Sequence, residues 1–172
     1  MKIAVEEWEL YNNGYLLIKW FDTEIDTIED IEAYISKIKA SYRLNSDDME
    51  LFIADYEAEY PFNSECVLEA YRISEIMDSL SEDEQTAVKI MLDNYIVNSI
   101  DEALEHIEDL ICTNETSMDD IAYNYVNNCG LLDTMPENLR YHFDYEALGR
   151  DMEINGSYYE DNDSVLWEYV AC

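Results

Sequence analysis

The stretch Tyr141–Ile154, YHFDYEALGRDMEI, gathers one histidine, two aspartates, two glutamates, two tyrosines and an arginine. These are the residue types of a general acid–base site. They are concentrated in a chain that has only two histidines and nine Lys+Arg among 172 residues. The spacing argues against catalysis. His142 finds no orienting partner at a recognisable interval, and the sequence holds no GxSxG, no HExxH and no glycine-rich phosphate loop. With 41 Asp+Glu, close carboxylate pairs arise by chance. No enzyme activity and no cofactor are expected. Arg150, between Glu146 and Asp151 in sequence, reads as half of a salt bridge. Phe143, Tyr145, Leu148 and Met152 fall at near-helical spacing, giving a helix over Tyr145–Met152 one apolar face.

The elements that position this stretch belong to a folded protein. Disordered acidic chains are poor in aromatics, whereas this one has 15 Tyr, 4 Phe and 3 Trp. The net charge of −32 is far from what solubility asks of a small domain. It is also evenly laid out. Residues 1–60 hold 15 acids and 5 bases, residues 61–113 hold 13 and 2, and residues 114–172 again hold 13 and 2. An acidic tail would concentrate its charge in one block. The pattern describes a folded object that is negative along its length.

The N-terminal KIAVEEWEL and YLLIKWF, separated by Asn12-Asn13-Gly14, predict a β-hairpin. Thr27 followed by Asp30 forms a capping box, opening a helix with Ile28, Ile31, Ile35 and Ile38 on its apolar face. LFIADY supplies a third strand. Beyond Pro61 the texture becomes helical. Ser64 precedes a helix carrying Val67, Leu68, Tyr71, Ile73 and Ile76. Ser81-Glu-Asp-Glu opens another, with Ala87, Val88, Met91 and Leu92 inward, and Ser99 starts a third. LICT is either its last turn or a new strand. Ser117 caps a helix through about Asn128, stopped by Gly130. Pro136 begins a short helix, and two strands, SYYED and VLWEYV, follow around Asn162-Asp163-Ser164. The fold class expected is α+β, an elongated chain of three small modules: 1–62 (α+β), 63–107 (helical) and 108–172 (α+β).

Cys66, Cys112, Cys129 and Cys172 form no CxxC pair and are expected to be mostly buried small hydrophobes in a cytoplasmic protein. Neither His106 nor His142 stands at zinc-ligand spacing, so no metal is expected. GSYYEDNDS is rich in oxygen donors but lacks the spacing of an EF-hand, and a turn between strands is the expectation. No apolar run reaches the roughly 18 residues of a spanning helix, and no membrane association is expected.

In order, these pieces resemble a known family. GLLDTMPENLRYHFDYEALGRDMEINGSYY is similar to the shared motif of the ArdA antirestriction proteins of plasmids and conjugative transposons. Pro136, Leu139, Asp144, Tyr145, Ala147, Gly149, Arg150 and Asp151 fall at its signature positions. IADYEAEYPF, AYNYVNNCG and the N-terminal hairpin ending in Trp20-Phe21 extend the resemblance over the whole chain. His142 and Leu148 stand where the family pattern has aromatic residues. The resemblance implies an acidic, three-domain homodimer, joined through its C-terminal domain. Such a protein mimics DNA and occupies the DNA-binding groove of type I restriction–modification enzymes, without itself binding nucleic acid.

The charge is adequate to that role. Duplex DNA carries one charge per ~1.7 Å, so this many charges match roughly 54 Å of axis, or about sixteen base pairs. The carboxylates proposed to stand for phosphates are Asp26, Glu29, Asp30, Glu32, Asp47, Asp48, Glu65, Glu69, Glu82, Asp83, Glu84, Asp101, Glu102, Glu105, Glu108, Asp109, Asp119 and Asp120. Some lie near helix N-termini, where the dipole favours acids for structural reasons alone. The competing reading is an acidic structural or halophilic-type protein with no mimicry.

Overall fold

The computed structural model describes residues 1–45 and 48–170. It is α+β, with eight helices and two three-stranded antiparallel sheets among the described residues. The chain packs as two compact units, Met1–Ser81 and Glu82–Cys172.

In the first unit β1 (Lys2–Glu7) is the middle strand, flanked by β2 (Lys19–Asp22) and β3 (Leu51–Glu57). The strands expected of the hairpin do pair antiparallel, with Ile3 opposite Phe21 and Ala4 opposite Trp20. The connection differs from the expected tight turn. After Glu7 the chain coils into α1 (Trp8–Asn12), because the Glu7 carboxylate accepts the Leu10 N–H at 2.9 Å and caps a helical turn. Burial of Leu10 holds that turn down. Gly14, at φ +81°, lies beyond the helix.

Residues opposed across antiparallel strands share a face. Ile3, Val5 and Phe21 share one with Tyr56 and Ile53. Lys19, on this face, sets its ammonium over the rings of Phe21 (4.4 Å) and of Tyr34 in α2 (Ile28–Ser41), so α2 lies here. Its capping box is formed as expected, Thr27 Oγ1 accepting from Asp30 N and Asp30 from Thr27 N. Its buried stripe runs Ile31, Ile35, Lys39, with Ile28 and Ile38 only half-buried. A lysine occupies the place expected of isoleucine. The reason is a waiting pair of carboxylates, described below. The helix α3 (Val67–Ser79) starts after Cys66, three residues beyond Ser64, and Leu68 points to solvent, 64% exposed. Val67, Ala70, Ile73, Ser74 and Met77 form its buried side.

The second unit begins with α4 (Glu82–Asp93), which buries Ala87, Val88, Ile90 and Met91. Next comes α5 (Ile100–Glu105), capped by Ser99 through the Glu102 N–H. After a 3-10 turn (Ile107–Asp109), LIC forms β4 (Leu110–Cys112), a strand rather than a last helical turn. Then follow α6 (Met118–Asn128), capped by Ser117, α7 (Glu137–Arg140) and α8 (Tyr145–Asn155), the last longer than expected. Gly130, at φ +61°, follows the end of α6 as anticipated. β5 (Tyr158–Glu160) and β6 (Leu166–Tyr169) close the chain as a hairpin, with β6 between β4 and β5. Asp161 organises the turn. Its carboxylate accepts Asp163 N, Val165 N and the Trp167 indole N–H, each at 2.9 Å.

The cysteines correct an expectation. Cys66 and Cys129 are exposed and Cys112 is half-buried, all three as free thiols, because they sit at helix ends and a sheet edge. Cys172 lies outside the described residues.

Candidate functional site

Those of the carboxylates singled out in the sequence that the structure describes stand on helices and in the segments that join them. Glu29, Asp30, Glu32, Asp48, Glu65, Glu82, Asp83, Glu84, Asp101, Glu105, Glu108, Asp119 and Asp120 are exposed. Asp26, Glu69, Glu102 and Asp109 are half-buried. Asp47 lies outside the described residues. Several also shape the chain locally. Asp26 accepts the Asp22 N–H at 2.8 Å, and Glu102 accepts that of Asn98 at 2.8 Å. Glu69 binds Arg72, and Asp109 binds His106 Nδ1 at 2.9 Å. The Thr27 donors hold the Asp30 carboxyl below the usual aspartate range. Such a group stays ionised across the neutral range.

The bases do little to neutralise this surface, because there are nine Lys+Arg against 41 Asp+Glu. Several are held in specific contacts: Lys19 over two rings, Lys39 with Glu7 and Glu9, Arg72 with Glu69, Arg150 with Glu146, and Arg140 on backbone carbonyls. Lys39 is the extreme case. It is fully buried, 2.9 Å from Glu7 Oε1 and 2.8 Å from Glu9 Oε2, and it donates to the Asp48 carbonyl. Burial pushes the Glu7 carboxyl up, but the Leu10 N–H and the Lys39 ammonium outweigh it and hold the group below its ordinary value. Burial likewise pushes Lys39 down, and Glu9 with Glu7 more than reverses it. Sequence reasoning missed this network. The signal was Lys39 itself, four residues after Ile35 on the stripe of Ile31.

The motif stretch is built for packing. Asp144 caps α8 through the Ala147 N–H at 2.9 Å. Gly149 is buried at the crossing of α8 with the start of α6. A Cβ there would stand 2.7 Å from the Met118 carbonyl oxygen and 2.8 Å from its carbon. The Tyr145 ring meets Tyr123 of α6 edge-on at 5.2 Å and leans on Phe143 at 4.9 Å. Arg150 reaches Glu146 at 3.0 Å, one turn back on the solvent side. Pro136 precedes α7, while Leu139 and Asp151 face solvent, as does Ala147 in part. His142 is exposed. Beside the motif a cavity of about 380 Å³ is lined by residues that include Tyr123, Val126, Arg140, Tyr141 and Tyr145.

Among the described residues no group of three or more His, Cys, Asp or Glu is placed to hold a metal ion, and no helix is long and apolar enough to cross a membrane.

The model of the ArdA antirestriction proteins matches residues 3–166, nearly the whole chain. The protein belongs to that antirestriction family, whose members are inhibitors acting against restriction enzymes rather than enzymes themselves. No curated protein matches the chain.

Proposed function

We propose that the protein inhibits type I restriction–modification enzymes by mimicking DNA. Its carboxylates, those named above among them, take the place of phosphates in the basic groove of the methyltransferase core. Restriction enzymes grip the duplex largely through Lys and Arg on phosphates, contacts that carry no base information. A protein supplying only the charges therefore inhibits stoichiometrically and regardless of recognition sequence. The single observation that carries this reading is the large excess of exposed carboxylates over exposed bases. Both compact units expose carboxylates, while most bases with a defined contact are tied to a neighbour within their own unit.

A division into three modules (1–62, 63–107 and 108–172), pairing of two copies through the C-terminal part, and action in the cytoplasm complete the proposal. Support for pairing comes from the exposed side chains around the motif. Tyr141 is 82% exposed, and Tyr123, Leu131 and Leu139 are about half exposed, an apolar surface beside the Tyr145 cavity. Such patches mark docking sites.

Competition with duplex DNA for a purified type I methyltransferase, over a series of salt concentrations, tests the mechanism. Displacement at low salt that fades as salt rises is the expected result. No displacement at low salt overturns it.

A further inference from the structure

β2 ends the N-terminal sheet on one side, and most of its outer edge is open. Along a strand the backbone groups turn to alternate sides, residue by residue. Thr23 N donates to the Met1 carbonyl at the end of the β1–β2 register, so Lys19, Phe21 and Thr23 turn their backbone groups toward β1. The even-numbered residues between them face outward. Asp22 shows this, because its N–H donates to the Asp26 carboxylate and its carbonyl accepts from Ile25 N and Asp26 N. That turn covers one end of the edge. Leu16, Ile18 and Trp20 have no such cover, and their outward N–H and C=O groups meet no partner among the described residues.

The chain leading into β2 already runs extended. Tyr15 stacks on Tyr42 at 4.0 Å, and Lys19 stands 4.3 Å from the Tyr34 ring, so residues 15–19 lie alongside α2. From Tyr34 to Tyr42 a helix advances about 12 Å, and from Tyr15 to Lys19 a strand advances about 13 Å, so the lengths agree. With Tyr15 and Lys19 turned to α2, the alternate side chains turn away from it. These are Leu16, Ile18 and Trp20, 68%, 53% and 42% exposed. The sequence carries no acid from Leu10 to Phe21, in a chain with 41 Asp+Glu. An open edge with an apolar stripe is a template for a further strand.

We propose that this edge pairs antiparallel with the same edge of a second copy, about a two-fold axis through Ile18. Such an axis keeps each copy's alternation, so even-numbered residues meet even-numbered ones. Ile18 stands across from Ile18 of the second copy, and Leu16 across from its Trp20. Every outward N–H and C=O of the three residues then has a partner, and the two apolar stripes form one ladder. Gly14, where a Cβ would meet nothing within 4 Å, falls across from the second copy's Asp22 turn and leaves it room. Charge selects the same occupant. Two strongly negative chains approach with least repulsion where neither carries an acid, whereas a basic partner finds no carboxylate along this run. The contact is separate from the pairing proposed for the C-terminal part and does not rest on the DNA-mimic reading.

Sedimentation velocity of the full chain carrying Leu139→Ser and Tyr141→Ser, which removes the C-terminal surface, tests the proposal. The mass is expected to rise toward a doubling as the chain is concentrated. The association should tighten as salt is raised from about 0.05 M to about 0.5 M, because salt screens the repulsion between two negative chains. Ile18→Pro removes the outward N–H without touching a bond to β1, and Ile18→Glu sets like charges across the axis. Ile18 is exposed, so both variants should keep the circular dichroism spectrum. Losing two hydrogen bonds per pair in Ile18→Pro weakens association about tenfold. The register is read by oxidation in a chain whose four native cysteines are replaced by serine. Ile18→Cys should give a disulfide-linked dimer, since directly paired Cα atoms stand about 5.5 Å apart, and Leu16→Cys should not. The proposal is overturned if the mass does not rise with concentration or if association weakens with salt. It is equally overturned if folded Ile18→Pro and Ile18→Glu associate like their parent, or if Leu16→Cys cross-links as fast as Ile18→Cys. Should the Ile18 variants weaken binding of a purified type I methyltransferase but not self-association, the edge serves the enzyme and the proposal fails.

Discussion

Lys39 of α2 and Glu7 at the end of β1 meet inside the N-terminal unit, their charged atoms 2.9 Å apart and both side chains almost wholly out of solvent. In a protein with so few bases, one cation is committed to joining helix to sheet. The same Glu7 carboxylate also caps α1, so a single side chain fixes three elements.

Removing one partner of a buried pair leaves the other charge stranded. Lys39→Met is expected to destabilise the protein by about 3–5 kcal/mol, read from urea unfolding. Glu7→Gln combined with Lys39→Met should recover part of that loss. A double variant no more stable than Lys39→Met alone would show that the pairing is not what holds the site together.

The pH dependence follows from the same groups. The Glu7 and Asp161 carboxyls are both held below their ordinary values, by hydrogen bonds that outweigh burial. A depressed pKa gives stability that is present above the unfolded value and lost as pH falls through the folded one. Lys39 is raised, so its contribution is present below the unfolded lysine value and lost at still higher pH. Acidification also relieves repulsion over the whole surface, which acts the other way. Comparison with a variant separates the two. Asp161→Asn should show a shallower loss of stability than the wild type between about pH 5 and pH 3, followed by circular dichroism. Parallel curves would sink this assignment.

At the α6–α8 crossing no side chain fits. Gly149→Ala places a methyl 2.7 Å from a backbone oxygen, which cannot swing aside as a side chain would. A loss of about 1–3 kcal/mol is expected from overpacking, read as a lower unfolding temperature. Wild-type stability in this variant would mean that the helices can separate freely.

Single exposed carboxylates should matter little for inhibition. Glu29→Gln or Asp119→Asn is expected to change the affinity for a type I methyltransferase by less than about threefold, with losses accumulating as several are combined. The slope of log affinity against log salt should fall in step. Abolition by one such substitution would point to a specific site in place of a distributed charge.

For pairing through the C-terminal part, Leu139→Ser with Tyr141→Ser is expected to shift sedimentation toward the monomer while leaving the circular dichroism spectrum unchanged. Both side chains are exposed, so the fold does not depend on them. An unaltered oligomeric state would remove this surface from consideration.

Much of the secondary structure was legible because its signals are local. Thr27, Ser99 and Ser117 each cap a helix by accepting the N–H three residues on, a contact written entirely within four residues of sequence. LICT was ambiguous because its status as a strand depends on β6, more than fifty residues later. Glu6 and Glu7 are adjacent acids on opposite faces of β1, and nothing local in the sequence marks either as buried. Both are buried in the middle strand of the sheet, and Glu7 meets Lys39, which lies thirty-two residues on in α2. The motif stretch had the residue types of chemistry, yet its neighbours in space are rings, a helix cap and a backbone crossing.

The bare Cα at position 149 has a consequence for how relatives of this protein are recognised. If the stretch is a family signature, as its resemblance implies, part of it would record how closely two helices pass. At Gly149 the chain sets the distance between two helices by leaving a side chain out, since a methyl there would meet the Met118 backbone.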